Sequence, residues 1–295
     1  MERKAFLKLI GLSSVGFAMT NLNELNHITG TFSNTKKMPV LFMGHGNPMN
    51  AIEENIFVEG FRKTAEKIEK PNAILCISAH WLTNGTKVTS MPFPQTIHDF
   101  GGFPDELFKV QYPVKGSPQL AQETKSLLAP TLVELDESWG LDHGSWSILR
   151  RMYPEADIPV IQLSIDYSKP MQWHFELAKQ LNSLRLKGVF IIGSGNIIHN
   201  LRLVDFRKPN KIDYGFDWAI EAQTIFNDYL LNENFKAIIN YDKGPSALKM
   251  AVPTPDHFIP LLYSLGLKEK TDQLSLFNDN LVAGSLSMTS VLIQE

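Results

Sequence analysis

The chain has 295 residues, of which 43% are hydrophobic and 20% are charged, and its formal net charge is −3 at pH 7. This length and apolar content allow a large core, in one large domain or two small ones. The chain has no run of like charges and no stripe of lysine and arginine. Its charge balance therefore argues against a nucleic-acid-binding protein. The single cysteine, Cys76, excludes an internal disulfide, and its apolar neighbours predict a buried, unreactive thiol.

The first 37 residues differ from the rest of the chain. A basic start precedes an apolar stretch of roughly a dozen residues, which has the length of a signal-peptide core and is too short to span a bilayer. The sequence ERKAFLK resembles a degenerate twin-arginine export signal with Lys4 in place of the second arginine. No clear cleavage site follows. Two interpretations therefore stay open: the protein is exported to the periplasm, or it is cytoplasmic and has an amphipathic or disordered leader. No later segment predicts a membrane span.

From Met38 onward, short apolar runs alternate with longer amphipathic segments. Continuous apolar runs predict strands buried on both faces over residues 39–44, 73–78, 158–165 and 188–195. Helical spacing predicts helices over residues 51–69, 117–128, 170–186, 214–231 and 256–265. This alternation predicts one α/β domain over residues 38–295, with a largely parallel central sheet flanked by helices. The Pro-, Gly- and aromatic-rich segment 91–115 predicts an irregular insertion or lid near a site.

Three histidines come at or just after the ends of predicted strands. His45 follows the first strand in GHGNP, His80 follows AILCISA, and His199 follows GVFIIGSGNII after a short turn. Ligands of open α/β sheets bind beyond the carboxyl ends of the strands, and parallel strands point those ends the same way. We therefore expect the three imidazoles to converge at one edge of the sheet. Crowded imidazoles cannot all be protonated, and neutral imidazoles are natural metal ligands.

The other histidines fall in several settings. His257, in VPTPDHFIP, is expected at the start of a helix that Thr254 or Asp256 caps. Alternatively, Asp256 accepts a hydrogen bond from the imidazole N–H of His257. His143, in WGLDHGSW, is expected in a loop, and His98 in the aromatic-rich segment. The remaining two, His27 in the leader and His174 in a predicted amphipathic helix, are predicted to be ordinary surface or boundary residues.

Six motifs occur in order along the chain: GHGNPMN, SAHW, HDFGGFPDELFKVQYP, LDHGSW, GSGNIIHNL and PTPDHFIPLLYSLG. In this order they resemble the extradiol ring-cleavage dioxygenases of the LigB superfamily, in particular the DOPA 4,5-dioxygenase type. The resemblance covers the chain from Met38 to its C-terminus.

The resemblance implies a single α/β domain with a non-haem metal at one end of the sheet. It implies Fe²⁺ for activity, Zn²⁺ in isolated protein, and a catechol such as L-DOPA that is cleaved with O2 in the 4,5 position. His45, His80 and His257 match metal ligands, and His199 matches a further ligand or close neighbour. His143 matches a position suited to acid–base work on the substrate hydroxyl. Some relatives complete the ligand set with a glutamate, whereas the matching positions of this chain hold histidines.

The substrate-binding candidates are His98, Phe100, Phe103 and Trp146, and the three aromatic residues could equally pack in the core. Two other functions stay open. The same histidines could activate a water in a zinc-dependent hydrolase, with His143 as the base. The chain could also be a non-catalytic protein that binds a metal or a small molecule. Ligand type does not separate iron from zinc, because imidazole suits both metals.

Overall fold

The computed structural model describes residues 35–208 and 211–295 of the chain. The predicted leader lies almost wholly outside the described residues, as does His27, so the export signal stays a prediction. In the part of the chain that the structure describes, no helix combines the length and the apolar character that crossing a membrane requires.

Eight strands form a central sheet, and two short strands pair beside it. The strands are β1 (Val40–Gly44), β2 (Ala73–Thr83), β3 (Thr86–Thr89), β4 (Val133–Asp136), β5 (Val160–Asp166), β6 (Val189–Gly195), β7 (Gln273–Phe277), β8 (Leu281–Val282), β9 (Leu286–Ser287) and β10 (Ser290–Gln294). Their order in the sheet is β4-β3-β5-β2-β6-β1-β10-β7. The central strands β5, β2, β6 and β1 pair in parallel, whereas β10 and β7 add an antiparallel edge.

The predicted α/β domain with a largely parallel sheet is confirmed, and all four predicted strands lie in the parallel centre. The sequence did not reveal β3, β4, β7 and β10, because these strands are short or mix polar with apolar residues. The sequences of β3, β4 and β7 are TKVT, VELD and QLSLF, which contain no continuous apolar run. The sequence of β10, SVLIQ, has a run of only three apolar residues. The parallel centre matters most for function, because the carboxyl ends of its strands share one edge.

Helices cover the sheet, and several differ from the predicted ranges. They are α1 (Ile56–Glu66), α2 (Asp105–Phe108), α3 (Pro118–Leu127), α4 (His143–Met152), α5 (Met171–Lys179), α6 (Asn182–Arg185), α7 (Asp217–Leu231), α8 (Phe235–Ile239), α9 (Ser246–Ala251) and α10 (Ile259–Gly266). The predicted helix over 51–69 begins only at Ile56, because the Asn55 side chain accepts the N–H groups of Phe57 and Val58 and caps it. The predicted helix over 170–186 is two helices, since Gln180 and Leu181 make tighter i→i−3 hydrogen bonds.

Two buried side chains test the sequence predictions directly. Cys76 lies fully buried in β2, and burial raises the pKa of its thiol to about 12, which confirms the inert cysteine. The prediction of a surface or boundary position for His174 is wrong. Its side chain is fully buried on the inner face of α5, and its Nδ1 lies 3.1 Å from the hydroxyl oxygen of Tyr263 in α10. Burial lowers the pKa of His174 to about 4, so the imidazole is neutral at pH 7.

A buried ion pair joins α6 to the segment before β7. The side chains of Arg185 and Asp272 are both fully buried, with Nη1 2.8 Å from Oδ2. We expect Asp272→Ala to lower the free energy of unfolding by about 3–5 kcal/mol, because the guanidinium is left buried without its carboxylate. Urea denaturation measures the loss. The control is Glu69→Ala, which removes an exposed partner of Lys36 and should leave the midpoint unchanged.

The same pair predicts a direction of pH dependence. Burial by itself would raise the pKa of Asp272, but hydrogen bonds from Arg185 and Lys37 outweigh it and lower the pKa from 3.8 to about 2. Between these values the unfolded chain binds the proton and the folded chain does not. The contribution of the pair is therefore complete above about pH 4 and is lost as the pH falls toward 2. An Asp272→Ala midpoint equal to that of the wild type at pH 7 would contradict the assigned stabilisation.

Candidate metal centre

Five histidines converge beyond the carboxyl ends of β1 and β6, beside the last part of β2. The ring centroids of His45, His80 and His257 are 4.9–5.3 Å apart. The ring of His199 stacks on that of His257 at 3.6 Å, and the ring of His143 lies 3.9 Å from that of His80. The predicted convergence of strand-end histidines at one edge of the sheet is therefore observed. The cluster is a candidate metal site at that edge.

The end of β6 holds two of these histidines through the backbone. The Gly195 carbonyl accepts the N–H of His45 at 3.0 Å, and the His257 carbonyl accepts the N–H of Asn196 at 2.9 Å. His257 was expected at the start of a helix with a cap from Thr254 or Asp256. That expectation is wrong, because α10 begins only at Ile259 and no side chain caps it. The hydrogen bond to Asn196, not a helix end, fixes the backbone at His257.

His80 lies inside β2 and does not follow it, as the sequence had suggested. The strand continues to Thr83, but its pairing with β5 shifts register between Ile77 and Leu82. His80 sits in this irregular stretch, where a local change of pairing can redirect a side chain. This places the imidazole over the sheet edge beside His45, with the two Nε2 atoms 3.3 Å apart.

The hydrogen bonds of Ser194 fix the protonation of His45. The Ser194 hydroxyl donates its single proton to the Gly144 carbonyl, at an Oγ–O distance of 2.5 Å. The Nδ1 atom of His45 lies 2.9 Å from the same Oγ, which can therefore only accept. His45 thus carries its proton on Nδ1, and its Nε2 lone pair is available to a metal ion.

Carboxylates hold the Nδ1 atoms of other imidazoles in the cluster. Asp256 contacts Nδ1 of His257, as the sequence suggested, and Oδ2 of Asp99 lies 3.3 Å from Nδ1 of His80. A carboxylate only accepts hydrogen bonds, so the contact with Asp256 places a proton on Nδ1 of His257 and leaves its Nε2 free. Histidines that bind metals are commonly held in this way by a partner on the other ring nitrogen. The contact of Asp99 with His80 is electrostatic and lacks hydrogen-bond geometry.

Three sets of residues could each hold a metal ion, because within each set the donor atoms lie within 4.8 Å of one another. The sets are His45, His80 and His257; His80, Asp99 and His143; and His199, Asp256 and His257. Burial, followed by repulsion between neighbouring imidazoles, lowers the pKa values of His45 and His80 well below 6.5. The same causes lower the pKa of His199 to about 3. The imidazoles of His45, His80 and His199 are therefore neutral at pH 7, which is the form that binds metal.

His143 is the first residue of α4, not part of a loop as expected. Asp142 caps this helix, since its Oδ1 accepts the N–H of Ser145 at 3.2 Å. The capping carboxylate is itself buried, and it accepts hydrogen bonds from Ser78 in β2 at 2.6 Å and from Gln162 in β5 at 2.7 Å. The start of α4 is thereby fixed to the sheet, and His143 is held against His80.

The substrate-binding candidates of segment 91–115 form an aromatic cluster beside His143. Phe100 is half-buried, and its ring lies edge-on to that of His143 at 5.4 Å and 5.3 Å from the ring of Phe103. Trp146 is fully buried and donates its indole N–H to a backbone carbonyl, so it packs beneath Phe100. His98 binds the carbonyl of Val110 through Nε2 at 3.0 Å. Phe100 thus contacts a histidine of the cluster directly, and Phe103 packs against Phe100.

Asp99 was not among the site residues predicted from the sequence. Asp256 was the carboxylate expected beside a histidine of the cluster, but Asp99 also touches two of them, His80 and His143. The side chains of His80 and Asp99 are 17% and 16% exposed, so they face the solvent-accessible side of the cluster. Asp99 follows His98 in a segment whose composition predicted a functional loop, and this was the available signal.

Gly195 allows β6 to approach the His257 segment closely. A Cβ atom on Gly195 would lie 2.1 Å from the His257 carbonyl oxygen, which is backbone and cannot rotate away. We expect Gly195→Ala to displace His257, to lower the free energy of unfolding by about 1–3 kcal/mol, and to weaken metal binding. Urea denaturation and metal titration measure the two effects.

The control for Gly195→Ala is Gly101→Ala, where an added Cβ would meet no atom within 4 Å. This variant should keep the wild-type midpoint and metal affinity. Wild-type stability and metal affinity in Gly195→Ala would show that the close approach does not matter.

Comparison with known proteins gives a consistent result. Residues 38–287 match the family model described as the catalytic LigB subunit of aromatic ring-opening dioxygenase. A protein of Escherichia coli K12 named 4,5-DOPA dioxygenase extradiol is 45% identical over 265 residues, which cover 87% of this chain and 95% of that protein. A Beta vulgaris protein of the same name is 36% identical over 270 residues, which cover 88% of this chain and 97% of that protein.

A solved structure shows the same architecture. The crystal structure of an uncharacterized protein from Escherichia coli K12 superposes with a TM-score of 0.75 and 40% sequence identity. The match covers 86% of this chain and 99% of that one.

Proposed function

Because the chain belongs to the family of the catalytic LigB subunit of aromatic ring-opening dioxygenases and is an enzyme of the extradiol class, we propose that it cleaves a catechol with O2 at an Fe²⁺ ion. L-DOPA, cleaved in the 4,5 position, is the proposed substrate, since the named relatives carry that activity in their names. We propose that His45, His80 and His257 hold the ion and that His143 is the acid–base residue.

The donor set suits a divalent metal such as iron. The observation that carries the proposal is the convergence of three imidazoles. Hydrogen bonds on Nδ1 leave Nε2 of His45 and of His257 free, and Nε2 of His80 lies 3.3 Å from that of His45. Such neutral nitrogen donors suit Fe²⁺ and Zn²⁺ alike. His199 stacks on His257 and shares a donor set with it and Asp256, so a role as a further ligand stays a prediction.

When bound, Fe²⁺ would lower the pKa of the catechol hydroxyls and supply the redox chemistry toward O2 that zinc lacks. The protein's own residues supply the proton transfer. The Nδ1 atom of His143 lies 3.0 Å from the Asp99 carboxylate, so in the neutral form of the ring the proton sits on Nδ1 and Nε2 is the free base. We propose that this Nε2 accepts a proton from a substrate hydroxyl and later returns it.

The surroundings of the cluster suit an aromatic substrate. Phe100, edge-on to His143, and Phe103 provide an apolar wall next to the proposed base, and Trp146 supports them from below. An aromatic ring gains from contacts of this kind, in edge-to-face or offset stacked arrangements. His98 is held to the Val110 carbonyl and its ring contacts those of Phe100 and Trp146, and its contact with substrate stays a prediction.

Metal reconstitution tests the proposal against the zinc hydrolase. The protein is stripped with a chelator and divided, and one half is loaded anaerobically with Fe²⁺ and the other with Zn²⁺. Each form is then assayed with L-DOPA in air and with activated esters. We expect catechol loss in the iron form alone. Ester turnover in the zinc form, with no catechol loss in the iron form, would favour the hydrolase instead. Stoichiometric metal without turnover of either substrate would favour a binding protein.

A further inference from the structure

Asp99 makes three contacts with two histidines of the cluster. Its Oδ1 accepts the backbone N–H of His143 at 2.9 Å. Its Oδ2 lies 3.0 Å from Nδ1 of His143 and 3.3 Å from Nδ1 of His80. One carboxylate therefore binds the backbone and the side chain of His143 and also reaches His80. The segment 91–115, which bears Asp99, is otherwise linked to the histidines by aromatic contacts.

We infer that Asp99 is a positioning residue that fixes the tautomer of His143, keeping the proton on Nδ1 so that Nε2 can act as the base. The inference rests on the proposed function, because it assigns how the proposed base is prepared. Asp99 Oδ2 also lies 3.3 Å from Nδ1 of His80, but without hydrogen-bond geometry, so the inference concerns His143 alone.

The geometry separates this role from simple support of the loop. A carboxylate can only accept, so the Nδ1 atom of His143 that is hydrogen-bonded to Oδ2 must donate. An asparagine at position 99 would still accept the N–H of His143 through Oδ1, and the backbone contact would survive. Its amide nitrogen, however, can only donate, so it favours an unprotonated Nδ1 and moves the proton of His143 to Nε2. Asp99→Asn therefore changes the tautomer while keeping the bond that supports the loop.

The first measurement compares the kinetics of iron-loaded Asp99→Asn with the wild type. We expect kcat for the catechol to fall roughly 10²–10⁴-fold, with KM changed only a few-fold and the bound iron still stoichiometric. Asp99→Glu, which keeps a carboxylate, is expected to recover at least part of the lost kcat. The control is Asp105→Asn, which alters an exposed carboxylate of the same segment. A kcat near the wild-type value in Asp99→Asn would overturn the inference, as would loss of the metal.

The second measurement reads the tautomer without turnover. Nitrogen-15 NMR of histidine-labelled, zinc-loaded protein distinguishes protonated from unprotonated ring nitrogens, and the His143→Gln variant identifies the signals of His143. We expect Nδ1 of His143 to be protonated in the wild type and unprotonated in Asp99→Asn. The same tautomer in both proteins would overturn the inference. A tautomer change in a protein that does not turn over catechols would uphold the assignment for Asp99 and refute the proposed function.

Discussion

Replacing His80 with alanine is expected to abolish stoichiometric metal binding. His80 lies at the centre of the cluster, with its Nε2 3.3 Å from that of His45 and its ring 4.9 Å from that of His257. Removing a partner of a ligand already costs about 10–100-fold in metal affinity, and removing the ligand itself should cost more. Metal analysis after dialysis, and competition with a chromophoric chelator, measure the loss.

The matched control is His98→Ala. His98 lies in the neighbouring loop and is bonded to a backbone carbonyl, outside the three donor sets. That variant should keep its metal. The same loss is expected for His45→Ala, whose Nε2 faces His80. Stoichiometric metal retained in both His45→Ala and His80→Ala would exclude the proposed site.

Replacing His143 with glutamine is expected to lower kcat roughly 10²–10⁴-fold while the bound metal is retained. The expected size is that of general acid–base catalysis by one side chain. The metal stays because His45, His80 and His257 are unchanged, and the backbone N–H of residue 143 can still bind Asp99. Steady-state kinetics with L-DOPA on iron-loaded protein, alongside metal analysis, measure both quantities.

A different result for this variant would be equally informative. His80, Asp99 and His143 form a second donor set within 4.8 Å. If His143→Gln loses its metal while His257→Ala retains it, the ion sits in this second set and the assignment of roles is wrong. A kcat equal to the wild-type value, with metal retained, would remove His143 from the proton transfer.

The sequence predicted the location of the site better than its details. Buried parallel strands are recognisable as short continuous apolar runs, and the residues that follow them must meet at one edge of the sheet. This reasoning brought His45, His80 and His199 together without any structure. The α/β class was likewise predictable, because it depends on the alternation of strands and helices, whereas the edge strands escaped notice because they are short and partly polar.

The details depend on contacts between residues that are far apart in the chain. Ser194 fixes the tautomer of His45 across 149 positions of sequence, and Asp99 reaches His143 across 44. No local pattern specifies such a pair. The start of α4 also escaped prediction, although Asp142 is a common capping residue, because the glycine after His143 indicated a turn.

Oxygen uptake recorded together with a visible spectrum tests the central claim most directly. The protein is loaded anaerobically with Fe²⁺, L-DOPA is added, and air is then admitted. If the protein cleaves L-DOPA as proposed, we expect O2 consumption equal to the L-DOPA consumed and the appearance of a yellow ring-opened product. No O2 uptake with L-DOPA and a series of other catechols, in protein shown to hold stoichiometric iron, would contradict it.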